Sequence, residues 1–442
     1  MKQNKVRFSV KQETMKQNKV RFMVNKKQEM SKTWIEVNPQ SDFSIYNIPF
    51  GIYSDDAVKH HACSAIGDYI IDLFVLADRG YLSLDKTVLS SQYLNGFIAL
   101  GKKVTNGIRE TLIALLSDEG SKLKNDQDTF KAAFKKQSSV KMLMPVQVGD
   151  YTDFYSSLDH AVNIGTMIRD PKNALMPNWK HLPVGYHGRA SSICVSGHSF
   201  YRPKGQQKPA DAEVPVFGPS KLLDIELETA FIIGKSTQMG DSVSTSEADD
   251  YIFGMVLFND WSARDIQTWE YVPLGPFLAK NFASTISPWI VTLEALEPFR
   301  VKGYEQEPKL LPYLQYSGNK NVDIKLEVYL KPQNGAENLI ITSNYKYMYY
   351  TMEQQLAHHT VNGCNINVGD MMASGTISGP DPKEYGSMME LTWRGTKPIT
   401  LSDGTERKFV NDNDTITLKG YCEKDGKRVG FGECKATLLP AK

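Results

Sequence analysis

The sequence lacks the features that mark several large classes of protein. It has no run of the 18 or so apolar residues needed to span a bilayer, and its 51 basic and 50 acidic side chains leave a formal net charge of only +1. Such a balance gives no overall field for nucleic acid or an anionic membrane. The chain therefore predicts a soluble protein with no nucleic-acid partner and no membrane partner, in which any charge chemistry is local.

Cysteine is also scarce. The five cysteines are scattered and form no C-x-x-C pair: Cys63, Cys194, Cys364, Cys422 and Cys434. This argues against a disulfide framework and against a zinc site. No apolar signal core follows the basic N-terminus, so the expected location is cytoplasmic.

The first 30 residues have little apolar content. They are rich in Lys and Gln, and the octapeptide MKQNKVRF occurs at 1–8 and again at 15–22. A segment of this kind buries too little apolar surface to offset its ordering entropy. Residues 1–30 are predicted to be a disordered basic tail, with Met30 as an alternative translation start; a transit peptide is the less favoured reading.

The remaining 412 residues predict two domains with a mostly β, α+β fold. Residues 31–145 contain short apolar runs, a hairpin signal at Gly67-Asp68 and helical periodicity over 93–116 and 128–142. Residues 146–442 are dense in short strands, glycines and prolines, with a helix over 351–358 and a long surface loop over 300–321. We expect a small N-terminal β module followed by a larger β-rich domain.

The stretch Leu222–Gly234 predicts one central strand with an unusual acidic face. Because side chains alternate along a strand, Asp224, Glu226 and Glu228 point to one side and the apolar residues to the other. Two buried carboxylates would be costly without a cation. Oxygen donors on a rigid strand suit Mg²⁺ or Ca²⁺; an acidic face that meets water is an equally weighted alternative.

A second segment, 149–160, combines extended and helical spacing. Three side chains fall on one face of its extended part: Tyr151, Asp153 and Tyr155. Ser156-x-x-Asp159 is typical of a helix capping box, which places His160 in the first helical turn. There the helix macrodipole favours the neutral ring and so a general base, although a lone first-turn His is more often structural.

A third segment, 259–267, follows an apolar strand and opens a helix. Asp260 at the strand end is a candidate ligand or, with equal weight, an N-cap. Arg264 and Gln267 follow one and about two turns later, and Lys280 lies in loop-like sequence.

Five motifs in this order closely resemble the fumarylacetoacetase family. They are GDYTDFYSS (149–157), LPVGYHGRASS (182–192), NDWSARDIQ (259–267), WEYVPLGPFL (269–278) and ASGTISG (373–379). The resemblance runs from about residue 42 to residue 440. It implies an N-terminal SH3-like domain, a C-terminal mixed β-sandwich roll and a homodimer.

The resemblance also implies roles for single residues. It implies metal ligands at Asp153, Glu226, Glu228 and Asp260, with a second cation near Asp260, Lys280 and Ser284, where Ser284 replaces an expected Thr. It implies His160 as the water-activating base, Glu390 as the acid that orients it, and Arg264, Gln267 and Lys280 as groups that stabilise the leaving enolate. It implies substrate contacts from Tyr155, Arg169, Tyr186, Gln267, Tyr271 and Thr376.

The implied reaction is the metal-dependent hydrolysis of 4-fumarylacetoacetate to fumarate and acetoacetate, the last step of tyrosine and phenylalanine breakdown. An acylpyruvate hydrolase, or a decarboxylase or isomerase of a dicarboxylic keto acid, would share the metal ligands. A Ca²⁺-binding structural protein is disfavoured because no EF-hand loop occurs, and a serine hydrolase because no G-x-S-x-G occurs.

Overall fold

A computed structural model of the chain describes residues 33–117, 120–169 and 171–442. The predicted tail at 1–30 lies outside these residues. Within the described ranges, no helix combines the length and the apolar character that crossing a bilayer requires.

The N-terminal part is built on a five-stranded antiparallel sheet in the order β4-β3-β2-β1-β5. Its strands are β1 (Gly51–Ser54), β2 (His61–Ile66), β3 (Tyr69–Asp72), β4 (Phe134–Lys136) and β5 (Lys141–Leu143). Its helices are α1 (Leu73–Asp78), α2 (Asn95–Ile98), α3 (Lys102–Ser117), α4 (Lys122–Asn125) and α5 (Gln127–Ala133). The predicted hairpin turn joins β2 to β3, with Gly67 at a φ of 54°.

Helical periodicity over 128–142 was only partly correct as a prediction. Helix α5 ends at Ala133, and Phe134 then pairs with Ile71 of β3. Burial of Phe134 in the sheet outweighs the local helical pattern. Strand pairing depends on contacts with residues far away in the sequence, and these do not appear in the local spacing of apolar residues. The pattern over 93–116 gives two helices, which are separated at Gly101 by a φ of 86°.

The C-terminal part contains most of the strands. They are β6 (Tyr151–Phe154), β7 (Gly185–His187), β8 (Ile193–Val195), β9 (His198–Tyr201), β10 (Lys204–Gln207), β11 (Val216–Pro219), β12 (Leu223–Asp224), β13 (Leu227–Ile233), β14 (Ile252–Asp260), β15 (Ser262–Ala263), β16 (Ser284–Ile286), β17 (Val291–Thr292), β18 (Arg300–Val301), β19 (Asn321–Val322), β20 (Lys325–Lys331), β21 (Asn338–Asn344), β22 (Met371–Ala373), β23 (Ile399–Thr400), β24 (Glu406–Arg407), β25 (Thr415–Lys424) and β26 (Lys427–Leu439). Its helices are α6 (Leu158–Ile168), α7 (Ala248–Tyr251), α8 (Arg264–Glu270), α9 (Leu293–Leu296), α10 (Met352–Thr360) and α11 (Met388–Leu391).

Two large sheets organise these strands. The central sheet has the order β7-β6-β22-β13-β14-β16-β8, with β17 also paired to β14, and mixes antiparallel pairs with the parallel pairs β6-β22 and β8-β16. A second sheet has the order β21-β20-β25-β26-β9. The result is a mostly β protein with a small N-terminal β module and a larger mixed β domain, which confirms the predicted fold class.

The central sheet is covered on both faces. Leu227 and Phe231 of β13 pack in the cluster that includes Leu418 of the second sheet, whereas Ala230 and Ile232 pack in the cluster that includes Phe50 of the N-terminal module. Every residue of β13 and β14 is therefore buried. This double cover explains why these strands read as continuous apolar runs.

Two further predictions need correction. The expected continuous strand over 222–234 is interrupted, because β12 ends at Asp224 and β13 begins at Leu227, with Glu226 making only an isolated bridge to Ser387. The segment 300–321 is not simply a surface loop. It begins and ends in the paired strands β18 and β19, and Leu310 and Leu314 are buried in an aromatic cluster.

Candidate active site

Four carboxylates converge at one end of the central sheet. Asp153 lies on β6, Glu226 precedes β13, Glu228 lies on β13 and Asp260 ends β14. Each offers an oxygen, these four oxygens all lie within 4.8 Å of one another, and all four residues are buried. Three chain segments far apart in sequence meet here because β6, β22, β13 and β14 are neighbours in the sheet. Glu226 and Glu228 both contribute to the cluster, as expected for residues two positions apart, although Glu226 lies outside β13.

Two buried cations lie against this cluster. The Lys280 ammonium donates to Glu226 and, at 2.7 Å, to Asp260 Oδ2. The Arg264 guanidinium donates to Glu226 Oε1 at 2.8 Å and to Asp224 Oδ2 at 2.9 Å. Burial opposes ionisation of Glu226, but Lys280 and Arg264 outweigh it and lower the pKa of this carboxyl.

The cluster retains oxygens that the described protein groups do not satisfy. Asp153 Oδ1 and Glu228 Oε1 are buried without a hydrogen-bond partner. Burial, reinforced by the neighbouring carboxylates, raises the pKa of Asp153 and of Glu228 well above the usual range. Because two orphaned carboxylate oxygens in an all-oxygen donor set are what a hard divalent cation requires, the residues present fit such an ion.

The two further residues expected near a second cation lie beside Asp260. Ser284 on β16 donates from Oγ to Asp260 Oδ1 at 3.0 Å, and β16 pairs directly with the end of β14. The Lys280 ammonium has three donors and no lone pair, so its side chain acts here as a counter-ion. Tyr186 on β7 also donates to Asp260, from its hydroxyl to Oδ2 at 3.0 Å.

His160 lies in the first turn of α6, as the sequence predicts, but the cap is one residue later than expected. Ser157, not Ser156, accepts the hydrogen bond from the His160 amide, at 3.3 Å. Ser156 instead accepts from the Gln355 side chain at 2.8 Å. Both His160 and the neighbouring Ala161 are buried, and both line a cavity.

Glu390 lies behind the imidazole and is held by several donors. Its Oε2 lies 2.7 Å from His160 Nδ1 and accepts from Ser387 Oγ at 2.8 Å. Its Oε1 accepts from Asn163 Nδ2 at 2.9 Å and Ser378 Oγ at 2.8 Å. Burial opposes the charge of Glu390, yet His160 and these donors lower the pKa of the carboxyl. A carboxylate at Nδ1 holds the Nδ1 proton, so in the neutral ring the lone pair lies on Nε2.

The cavity in front of these groups has a volume of about 880 Å³. Every residue expected to contact substrate lines it: Tyr155, Arg169, Tyr186, Gln267, Tyr271 and Thr376. His160, Arg264, Lys280 and three of the carboxylates line it too. Asp260, Ser284 and Glu390 lie outside the lining, and Glu390 contacts His160, which belongs to it.

Sequence reasoning missed some residues of the site. Asp224 holds Arg264 and also accepts from the amides of Met388 and Met389, which fixes the start of the helix that carries Glu390. The strand alternation that singled out Glu226 and Glu228 contained this signal. Arg394, which also lines the cavity, carried no recognisable signal, because the orientation of its side chain depends on an unusual turn.

The arrangement combines three elements of hydrolytic chemistry. A divalent cation held by carboxylates can polarise oxygens of a bound ligand. A neutral imidazole beside it can accept a proton from water. Buried cations within the same cavity can stabilise negative charge that develops during bond cleavage. The cavity is therefore suited to the hydrolysis of a small, oxygen-rich, anionic compound.

Comparison with known proteins agrees with this chemistry. Residues 151–439 match the family description "Fumarylacetoacetate (FAA) hydrolase C-terminal", and residues 46–145 match "Fumarylacetoacetase N-terminal". Proteins named fumarylacetoacetase are 51% identical in Homo sapiens over 414 residues (92% of this chain, 99% of the relative) and 51% identical in Dictyostelium discoideum over 420 residues (93% and 98%). The Arabidopsis thaliana fumarylacetoacetase is 46% identical over 416 residues, 93% of this chain and 99% of the relative.

The fold also has a counterpart among solved structures. A structure described as "Fumarylacetoacetate hydrolase (EaFAH) from psychrophilic Exiguobacterium antarcticum" matches with a TM-score of 0.50 and 17% identity, covering 89% of this chain and 100% of that one. At this identity the match supports the fold alone. The two family matches and the long, highly identical relatives show that the chain belongs to the fumarylacetoacetate hydrolase family.

Proposed function

We propose that the chain hydrolyses the carbon–carbon bond of 4-fumarylacetoacetate and releases fumarate and acetoacetate, the last step of tyrosine and phenylalanine catabolism. The observation that carries this proposal is the juxtaposition of the buried carboxylate cluster, His160 with Glu390, and Lys280 with Arg264 around one cavity. The choice of substrate is supported by the relatives named fumarylacetoacetase, which are about half identical to this chain over nearly its whole length.

His160 is the proposed base. His160 lines the cavity, and its Nδ1 is held by Glu390 at 2.7 Å. His160 takes a proton from water at Nε2, and Glu390 holds the tautomer and stabilises the imidazolium that results. The water oxygen attacks the carbonyl on the fumaryl side of the scissile bond.

The proposed cation ligands are Asp153, Glu226, Glu228 and Asp260, with Mg²⁺ or Ca²⁺ as the ion. A bound ion would supply Lewis acidity and a template for the two oxygens of the enolised diketone. The all-oxygen donor set supports a hard cation. A second cation near Asp260, Lys280 and Ser284 is also proposed, and the lone pairs available there belong to the Asp260 carboxylate, the Ser284 hydroxyl and the Lys280 backbone carbonyl.

Arg264, Gln267 and Lys280 are the groups proposed to stabilise the departing acetoacetate enolate. Arg264 Nη1 donates to Gln267 Oε1 at 3.1 Å, which orients the amide, and no residue of the described ranges accepts a hydrogen bond from its NH₂ group. Cation and amide donors aimed at developing charge typically contribute about 3–4 kcal/mol each. Tyr155, Arg169, Tyr186, Tyr271 and Thr376 are the remaining proposed substrate contacts.

The test is spectroscopic. Enolised fumarylacetoacetate absorbs in the near ultraviolet through its conjugated diketone, and cleavage of the carbon–carbon bond destroys that chromophore. Loss of absorbance with stoichiometric release of fumarate would support the proposal. Turnover of a simple acylpyruvate with no turnover of fumarylacetoacetate would replace it with the acylpyruvate hydrolase alternative.

We propose a homodimer as well, in a reducing cytoplasmic compartment that suits five unpaired cysteines. Large apolar side chains are exposed on the β10–β11 hairpin and in the segment that begins in α8: Val214, Val216, Phe217, Trp269, Val272, Leu274 and Phe277. Sedimentation of Phe217→Glu tests whether this surface mediates association. Met239→Glu is the control, since Met239 is 86% exposed but lies outside this surface.

The proposed domain division is residues 31–145 and 146–442. It is supported by the separate five-stranded sheet of the first part and by the larger sheets of the second. The two parts nevertheless share a hydrophobic cluster across the central sheet.

A further inference from the structure

The cations that line the cavity fall into two groups. Lys280 and Arg264 are bonded to the carboxylates Glu226, Asp260 and Asp224. Arg169 and Arg394 also line the cavity, and neither forms an ion pair with any residue in the described ranges. A substrate with two terminal carboxylates cannot place either of them against the carboxylate cluster without strong repulsion. The unmatched arginines are therefore the groups suited to a substrate carboxylate.

Arg394 and Arg169 lie at the same end of the cavity. Arg394 Nη1 donates to the carbonyl of Met167 at 3.0 Å, near the C-terminus of α6, and Arg169 is the residue that caps α6. Arg169 Nη2 donates to the carbonyl of Ala174 at 2.6 Å. A guanidinium has five N–H donors, so each arginine retains donors for a planar, bidentate carboxylate contact.

The backbone at Arg394 is unusual in a way that favours function. Trp393 and Arg394 have φ values of 47° and 59°, so two successive residues other than glycine are left-handed. The Arg394 amide donates to the carbonyl of Met389, which places this turn directly after α11, the helix that carries Glu390. Strained backbone of this kind persists where the surrounding structure holds it, and it clusters at ligand sites. Arg394, at this strained turn, is one of the residues that line the cavity.

We propose that Arg394, acting with Arg169, binds one of the two terminal carboxylates of the substrate and so determines the preference for dicarboxylic diketones. This inference rests on the proposed function, whose substrate is a dicarboxylate. It adds Arg394 as a specificity residue to the contacts named above. The competing explanation is structural, since a cation near the last carbonyls of α6 would stabilise that helix.

The test compares fumarylacetoacetate with its two monomethyl esters, each lacking the charge at one end. Arg394→Met should lower kcat/KM for the diacid by roughly 10–100-fold, mainly through KM, as expected for loss of charged hydrogen bonds. For one of the two esters, wild type and variant should differ by less than about threefold. Lys397→Met is the matched control, because it removes an equal charge three residues away, outside the cavity lining.

A second variant shows whether a loss of activity reflects misfolding rather than the loss of the charge. Arg394→Asn removes the charge but suits the left-handed backbone, so its melting temperature should match wild type while its kcat/KM for the diacid falls as for Arg394→Met. Arg394→Lys should recover part of the loss. Equal losses on the diacid and on both esters, or unchanged kinetics in both variants, would overturn the proposal. Absence of any wild-type turnover of the diacid would instead refute the proposed function itself.

Discussion

At the scale of single residues, the pairing of His160 with Glu390 leads to a sharp expectation. Glu390 is fully buried behind the imidazole and receives donors from Asn163, Ser378 and Ser387. It does not line the cavity itself, whereas His160, to which it is bonded, does. Any effect of Glu390 on the reaction must therefore pass through the orientation and charge of that ring.

We expect His160→Ala to lower kcat by roughly 10²–10⁴-fold, the usual range for a positioned base, with cation affinity unchanged. Glu390→Gln should cost less, and the double variant should be about as slow as His160→Ala alone. Steady-state kinetics of the three variants measure this coupling. His198→Ala, at an exposed position on β9, is the control.

Additive losses in log kcat would mean that Glu390 contributes independently of His160. Unimpaired turnover by His160→Ala would return this histidine to the structural, first-turn role that the sequence also allowed.

Asp224 offers a second test at this scale. It is fully buried and accepts from Arg264 and from two amides at the start of α11. Asp224→Asn keeps the shape but removes the charge that Arg264 requires, so we expect the free energy of unfolding to fall by about 1–3 kcal/mol. Denaturant unfolding measures this change.

The matched control is Asp412→Asn. Asp412 pairs with Arg202, but its side chain is 40% exposed, so the loss should stay within about 1 kcal/mol. Equal destabilisation by the two variants would show that the buried position of Asp224 confers no special importance.

At the scale of secondary-structure elements, the sequence predicted which strands and helices form better than it predicted where they begin and end. Alternation along 222–234 placed Glu226 and Glu228 on one side, and the carboxylate cluster has them there. It did not predict the break before Leu227, because that break depends on the bridge between Glu226 and Ser387, a residue 161 positions later. Likewise, Ser156 and Ser157 are equivalent caps by type. Tertiary bonding of Ser156 to Gln355 decides between them.

The residues of the site likewise fall into those that the sequence indicated and those that it did not. Strand alternation singled out Glu226 and Glu228, helix capping placed His160 in a first turn, and the family resemblance implied the roles of Asp153, Asp260 and Lys280. The donors around Glu390 lie on three separate segments, so no local pattern joins them. Arg394 escaped notice because its orientation comes from two left-handed residues, a conformation that costs about 1–3 kcal/mol per residue and that no propensity predicts.

Helix α6, which positions His160, contains a glycine whose replacement tests packing against propensity. An alanine in mid-helix is intrinsically favoured over glycine by about 1 kcal/mol. At Gly165, however, a Cβ would lie 1.9 Å from the backbone oxygen of Ala174. We expect Gly165→Ala to destabilise the protein by about 1–3 kcal/mol, since backbone atoms must shift, and to lower kcat as α6 moves.

Gly107 in α3 is the control for this experiment. It is exposed, and a Cβ there would meet no atom within 4 Å. Gly107→Ala should therefore stabilise the protein by about 0.5–1 kcal/mol. Thermal melts of the two variants should shift in opposite directions, and a stabilising Gly165→Ala would refute the proposed close packing of α6 against 171–176.

At the scale of the whole molecule, the carboxylate cluster lies in the sheet that both other layers cover. The apolar faces of β13 and β14 join the second sheet to the N-terminal module. Repulsion among four buried carboxylates at the end of these strands therefore acts on the element that holds the molecule together. Cation binding should stabilise the entire fold as well as the reaction.

We expect prolonged chelation to abolish activity and to lower the melting temperature, and Mg²⁺ or Ca²⁺ to restore both. An ion present at 100 times its dissociation constant adds about 2.7 kcal/mol to the free energy of unfolding.

Glu228→Gln sharpens the test, because it removes one charge from the cluster while its side-chain oxygen can still accept from the Gly375 amide, at 3.1 Å in the wild type. Without metal this variant should melt above wild type, since repulsion is reduced, whereas with saturating Mg²⁺ or Ca²⁺ it should melt below. Calorimetry of both proteins, in chelator and in metal, gives the four melting temperatures. A chelated wild type that keeps its melting temperature and full turnover would show that neither the fold nor the reaction needs the cation.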